Sequence, residues 1–220
     1  MDGKTSLRSH DRSADKAPLH LVSAFATTSR LVLGQEAVPD KSGETTAIPA
    51  LLERLGANDG LKGAIVSIGA IATNATIATG IRNVGVHYLL AVKANQPTLR
   101  AEVEACFADA PAEFDRVTEL DKGHSRIEER CVTVFCEADW LAGTRRFPGE
   151  LRLPEAKTII RVENRTELKD RCRHDTRYFT SLQQGSAASA VRGHWKRPAL
   201  DPQRRLQRRS IAAPKRPWRA

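Results

Sequence analysis

Short apolar runs near the start of the chain predict an antiparallel hairpin followed by a helix. Residues 2–16 are polar and basic without periodicity, so we expect a loop there. Residues 19–26 and 30–38 are rich in Leu and Val and are separated by two threonines and a serine, which is typical of two strands joined by a turn. Apolar residues at helical spacing predict a helix over residues 46–55, with Pro49 tolerated in its first turn.

The central segment alternates between buried-type strands and amphipathic helices. Strands are predicted at residues 63–68 and 88–92, and helices at 73–84 and 98–107. The second helix places Leu99, Val103 and Phe107 on one side, as expected for a core face. This order predicts parallel strands with helices packed on the sheet.

The pattern of residues changes over 115–165, where strands are expected at 130–135 and 157–162 around a loop that contains Pro and Gly. A last strand is predicted at residues 177–182, and residues 186–195 have the alanine content of a helix. The pattern therefore indicates a mixed α/β fold with a β-rich insertion.

Composition is that of a soluble protein, with 40% hydrophobic and 28% charged residues. No run of 18 apolar residues and no apolar leader is present, so the default expectation is a cytoplasmic protein. The four cysteines lack paired CxxC spacing and are interpreted as reduced thiols rather than a metal site.

The net charge of +9 is concentrated at one end of the chain. Residues 196–220 contain nine Lys or Arg and one acidic residue, which leaves a net charge of only +1 on the first 195 residues. This tail also has four prolines and no apolar period, so we expect it to be disordered. The high isoelectric point therefore says nothing about the surface of the body.

A series of local blocks carries a resemblance to a known family. In chain order they read DGKTSLRSHDR, APLHLVSAFATTSRLVLGQEAV, KSGETTAIPALLERL, LLAVKANQPTLRAEVE, DKGHSRIEER, TIIRVENRTELK, RYFTSL and AVRGHW. Together they resemble successive blocks of the ISAs-type, or H-repeat-associated, DDE transposases of bacterial insertion sequences. The resemblance extends from Asp2 to about Trp195.

The resemblance implies an RNase H-like mixed sheet with flanking helices and two-metal phosphoryl-transfer chemistry. In such enzymes three carboxylates hold a pair of Mg²⁺ ions that promote DNA strand cleavage and joining. The first carboxylate of the family corresponds to Asp2, although an Asp-Gly turn is the structural alternative. The second is expected after the strand at 63–68, where relatives read Ile-Asp-Ala and this chain reads Ile68-Gly69-Ala70. Gly69 therefore occupies the position of a missing metal ligand.

The third carboxylate of the family is a glutamate a few residues beyond the block that contains Arg192 and His194. No glutamate follows Glu167 in this chain. Because the resemblance ends abruptly at Trp195, we interpret residues 196–220 as a frameshifted read-through. Translation of the other two reading frames of the gene past this point should then give a sequence that resembles the family. The expected organisation is an incomplete catalytic domain at residues 1–195, with its first strand truncated, and a basic tail at 196–220.

Further polar and basic residues are candidates for DNA contact, some because they follow a strand end and others because of the resemblance. They are Lys93 after a predicted strand end, with Asn95 and Gln96 beside it, Lys122, His124 and Arg126 in the DKGHSRIEER block, and Arg192 and His194. Helix capping is the alternative for Asn95 and Gln96, and a solvated turn is the alternative for the block. Trp195 is a candidate for stacking on a base, although core packing is the favoured interpretation. The spacing of His124 and Glu128 also allows a metal pair.

Three interpretations remain open from the sequence. The chain is a DDE transposase that depends on Mg²⁺, acts on insertion-sequence DNA ends as a possible homodimer, and is here inactive. Alternatively it is a non-catalytic DNA-binding protein, or a decayed gene product without function. Strand transfer separates the first from the others, and salt-dependent DNA binding separates the second from the third.

Overall fold

The computed structural model describes residues 1–5, 18–38, 43–57, 60–108, 114–123 and 126–186. These residues form nine strands and three α-helices, with short 3₁₀ helices at Ala70–Ala72 and Asp139–Ala142. In chain order the elements are β1 (Asp2–Thr5), β2 (His20–Ala26), β3 (Leu31–Val38), α1 (Glu44–Gly56), β4 (Ile65–Ile68), α2 (Ala75–Asn83), β5 (His87–Val92), α3 (Pro97–Ala108), β6 (Asp115–Gly123), β7 (Arg126–Phe135), β8 (Thr158–Glu167) and β9 (Cys172–Ser181).

The strands form two sheets. An antiparallel sheet has the order β1-β2-β3, and a mixed sheet has the order β4-β5-β9-β8-β7-β6. Among the described strands only β4 and β5 pair in parallel, and α2 provides the crossover between them. The mixed sheet with flanking helices agrees with the expected RNase H-like fold. The hairpin, the central strands and helices, and the β-rich insertion are all confirmed.

One core joins the helices to both sheets. Ile48, Leu51 and Leu52 of α1 are buried together with Ile77 and Ile81 of α2. Leu99, Val103 and Phe107 of α3 belong to the same cluster, as their spacing predicted. Burial of these apolar side chains, rather than helix propensity, fixes the helices on the sheets.

Two sequence expectations near the start of the chain are wrong. The predicted loop at residues 2–16 begins with strand β1, which pairs with β2. Helix α1 begins at Glu44, so Pro49 is inside the helix rather than in its first turn. The remaining residues of that predicted loop, 6–16, lie outside the described residues, as do the predicted helix after Ser186 and the basic tail.

Strands β6 to β9 extend well beyond the carboxyl end of β5. Val92, the last residue of β5, pairs with Tyr178, whereas β9 continues back to Cys172. Cys172 pairs with Glu167, which in turn pairs with Ile127. Six residues of extended chain correspond to about 20 Å, so the insertion (β6–β9) projects past the end of the parallel pair.

Within the described part of the chain, none of the helices combines the length and apolar character needed to cross a lipid bilayer.

Candidate active site

Asp2 opens β1 and lies beside the end of β4. The α-amino group of Met1 donates a hydrogen bond to the carbonyl oxygen of Ser67, at 2.5 Å. Burial lowers the pKa of this amino group, and the neighbouring Asp2 carboxylate partly opposes the shift. Asp2 itself is exposed. The start of β1 therefore lies next to the carboxyl end of β4.

Gly69 follows β4 directly and faces Asp2. A Cβ atom built on Gly69 would stand 3.9 Å from Oδ1 of Asp2, with no other side chain or non-neighbouring backbone atom within 4 Å among the described residues. The backbone of Gly69 is extended, with φ of −67° and ψ of 161°, which any L-residue adopts. The position therefore has room for a side chain directed at the Asp2 carboxylate, and nothing in the local backbone requires glycine.

The loop after Gly69 is held by two side-chain amides from the loop between β5 and α3. Asn95 Nδ2 donates to the carbonyl oxygen of Ala70 at 2.9 Å, and Gln96 Nε2 donates to that of Thr73 at 2.7 Å. The Thr73 hydroxyl donates to the carbonyl oxygen of Ala91 at 2.9 Å, which ties the loop to β5. These amides bind protein backbone, a role that sequence reasoning missed. The only signal was two amide residues between a strand end and a helix.

Lys93 lies one residue beyond β5 and is exposed. Because Ile68 pairs with Leu90 in the parallel ladder, Gly69 and Lys93 both follow strand ends at the same edge of the sheet. This edge is where ligands commonly bind to α/β sheets.

Lys122 and Arg126 lie far from Asp2, at the tip of the β6–β7 hairpin. Gly123 pairs with Arg126, and Lys122 pairs with Ile127. Ile127 in turn pairs with Glu167, at the end of the insertion that projects about six residues past the end of β5. Arg126 Nε lies 2.7 Å from Oε1 of Glu128, so the side chains of Arg126 and Glu128 form an ion pair. The structure therefore does not bring these cations to the site around Asp2.

The remaining candidate residues lie outside the described residues. They are His124, Arg192, His194 and Trp195. The metal pair of His124 with Glu128 therefore stays a prediction, as does the position of the third carboxylate.

The described residues do not fit a magnesium centre. No group of three His, Cys, Asp or Glu side chains among them could hold a metal ion. Asp2 provides one carboxylate at the site, and Gly69 provides no side chain. Mg²⁺ prefers an octahedral shell of oxygen ligands, and two-metal catalysis needs several carboxylates at one point. Among the described residues the site therefore has room for a side chain at position 69 but a carboxylate only at Asp2.

Comparison with known proteins identifies the family. A family model described as "Transposase DDE domain" matches residues 2–141, which include both Asp2 and Gly69. The chain belongs to the DDE transposase family.

Similar proteins support this assignment. An uncharacterised protein encoded in the dhlA 3′ region of Xanthobacter autotrophicus is 37% identical over 81% of this chain and 58% of its own length. YhhI of Escherichia coli K12, named as an H repeat-associated candidate transposase, is 34% identical over 89% of this chain and 52% of its own length. YbfD of the same strain, named in the same way, is 38% identical over 62% of this chain and 53% of its own length. The resemblance to H-repeat-associated transposases is confirmed, and the chain spans about half the length of these relatives.

Proposed function

We propose that this chain is a DDE-type insertion-sequence transposase domain that no longer catalyses strand transfer, because glycine replaces the second metal-binding carboxylate. The observation that carries the proposal is the 3.9 Å separation between the Cβ position of Gly69 and Oδ1 of Asp2. An aspartate at residue 69 would bring two carboxylates together at the end of β4. Of these two positions, only residue 2 carries a carboxylate.

The chemistry explains why one carboxylate is too few. When bound, the metal pair of the family activates the attacking oxygen and stabilises the leaving oxygen of the DNA backbone. The contribution of the protein is a set of converging oxygen ligands. Asp2 is the ligand that this chain retains, and residue 69 has no side chain. Residues 196–220, which follow the block that precedes the family's third carboxylate, contain no glutamate.

DNA is the partner that the family implies, and insertion-sequence ends are the substrate that we assign to the lineage. Lys93 is the described cation best placed to contact DNA, because it is exposed at the same edge as Asp2. Lys122 and Arg126 would contact DNA only where it extends along the insertion. For Arg192 and His194, next to the expected third carboxylate, and for His124, the proposal depends on the family resemblance. A homodimer also follows from that resemblance alone.

We assign residues 1–195 to the catalytic-domain lineage and residues 196–220 to a frameshifted basic tail. With a net charge of +8, the tail favours a second candidate function, non-catalytic binding of DNA. That binding would be independent of sequence and would weaken steeply with salt.

The test is a plasmid cleavage assay with the purified chain. Supercoiled plasmid is incubated with Mg²⁺ or Mn²⁺, alongside an Asp2→Asn variant that controls for contaminating nucleases. We expect no cleavage by either protein. Metal-dependent cleavage that disappears in Asp2→Asn would overturn the proposed loss of activity. Electrophoretic DNA binding over a salt series, with and without residues 196–220, tests the second candidate.

A further inference from the structure

We propose that His20, Glu44 and Thr5 form a polar latch that fixes the register of β1 and thereby points Asp2 toward Gly69. The proposal makes these three residues positioning residues and rests on the proposed role of Asp2 as a retained metal ligand. It assigns a purpose to a buried polar cluster that the site itself does not use.

The polar latch joins three elements through one imidazole ring. His20 of β2 is 2% exposed and Glu44, the first residue of α1, is 8% exposed. His20 Nε2 lies 2.9 Å from Oε1 of Glu44, and Nδ1 lies 2.9 Å from the hydroxyl of Thr5 in β1. Because a carboxylate only accepts, Nε2 donates to Glu44, and in the neutral ring Nδ1 accepts from Thr5.

Gly3 lies directly over the latch. A Cβ atom on Gly3 would overlap Oε1 of Glu44 and come within 2.8 Å of Nε2 of His20. Gly3 and Thr5 therefore face the latch, whereas Asp2 and Lys4 alternate to the other side of the strand. The Asp-Gly pair at the start of β1 thus places a carboxylate on the site face and bare backbone on the latch face.

The register of strand β1 depends on its ladder with β2, on the hydrogen bond from the Met1 amino group to Ser67 and on the polar latch. The strand contains four residues, none of which is fully buried, and its partner in the described sheet is β2. A shift of one residue would reverse the face of every side chain and carry Asp2 away from Gly69. In the observed register Thr5 pairs directly with His20, which allows the hydroxyl to reach the ring. The latch contacts are satisfied in this register and would be lost in a shifted one.

The first experiment measures the latch without metal. Amide hydrogen exchange, followed by NMR, is compared for the unmodified chain, Thr5→Val and Thr5→Ser. Valine keeps the shape of threonine but removes the hydroxyl, whereas serine keeps the hydroxyl. We expect amide exchange in β1 to accelerate about tenfold in Thr5→Val, as for one lost buried hydrogen bond, and to stay within about twofold in Thr5→Ser. Amides of α2 serve as the internal reference for global unfolding. Equal protection of β1 in all three proteins would overturn the latch.

The second experiment tests positioning in a Gly69→Asp background, where two carboxylates are brought together. Binding of Mn²⁺ is measured by electron paramagnetic resonance. We expect Thr5→Val to weaken Mn²⁺ affinity by about tenfold, as for loss of a group that orients a metal ligand, and Thr5→Ser to retain it. Equal affinity in both would show that the latch stabilises β1 without positioning Asp2, and would overturn the positioning role. If Gly69→Asp alone binds no Mn²⁺, the proposed function of the site fails, whereas the exchange experiment still decides the latch.

Discussion

The surroundings of β1 and the exposed strand faces of the insertion (β6–β9) use polar groups in different ways. Around β1, polar side chains are buried and individually satisfied, as in the pair formed by His20 and Glu44. Along the strands of the insertion, charged side chains pair on exposed surfaces, whereas the loop between β7 and β8 buries Glu150, which is 2% exposed, against Arg146 and Arg152. Arg165 contacts Glu167 at 2.5 Å, with side chains 49% and 41% exposed.

This difference indicates where geometry is enforced. A buried hydrogen bond is costly to break, because its partner is left without solvent, whereas an exposed ion pair exchanges one solvated state for another. The site-bearing part therefore has strict local geometry, although Gly69 supplies no side chain there. The exposed strand faces of the insertion are free to change their charges, whereas the buried Glu150 in the loop before β8 is held by Arg146 and Arg152.

The largest expected effect comes from adding one methyl group to a glycine in each region. Gly3→Ala should lower the free energy of unfolding by about 2 kcal/mol, because the new Cβ must displace the buried Glu44 carboxylate from His20. Gly123→Ala in β6 should change it by less than about 0.5 kcal/mol, since no atom lies within 4 Å of the new Cβ among the described residues. Urea denaturation measures both. Equal effects would remove the contrast between the two regions.

An intermediate effect is expected at Tyr88, which connects β5 to the loop before β8. Its hydroxyl donates to the carbonyl oxygen of Pro154 at 2.8 Å. Tyr88→Phe should lower the free energy of unfolding by about 1 kcal/mol.

The pH dependence of stability tests the burial of the Tyr88 phenol in a second way. Burial raises the pKa of the phenol, with a further contribution from Glu155 that Arg82 partly offsets. Since the folded pKa is raised, the stabilisation is complete below the ordinary value of 10.0 and is lost as the pH rises above it. Thermal melts between pH 8 and about 11 should therefore be less pH-sensitive for Tyr88→Phe. An unchanged pH profile would show that the phenol is not protected from ionisation.

The smallest effect is expected in the insertion. Arg165 pairs with Glu167 in its own strand region and with Glu129 across the sheet. Arg165→Ala should change the free energy of unfolding by no more than about 0.5 kcal/mol, because both pairs are exposed. The same denaturation measurement decides this, and a loss of 2 kcal/mol or more would mean that the insertion depends on its ion pairs.

The sequence correctly predicted those helices and strands whose own residues show an apolar pattern. Helices α2 and α3 and strand β5 carry clear apolar periodicity, and their order alone predicted the parallel pair. Strand β6 was not predicted, because eight of its nine residues are exposed and its structure depends on pairing with β7. Strand β1 was missed for a related reason, since its contacts come from residues 15 or more positions away.

The site was predictable to a similar extent. The family resemblance indicated that residues 2 and 69 correspond to two metal ligands, and the fold places them together. The amide contacts of Asn95 and Gln96 and the polar latch were not predictable, because they depend on loops that meet only in three dimensions.

Calorimetric titration of Mn²⁺ into three proteins tests the central claim most directly. These are the unmodified chain, Gly69→Asp, and Gly123→Asp as a control that adds the same charge at the tip of the insertion. We predict measurable binding by Gly69→Asp, its loss when Asp2→Asn is added, and none by the other two proteins. Equal binding by the unmodified chain, or by Gly123→Asp, would contradict the account.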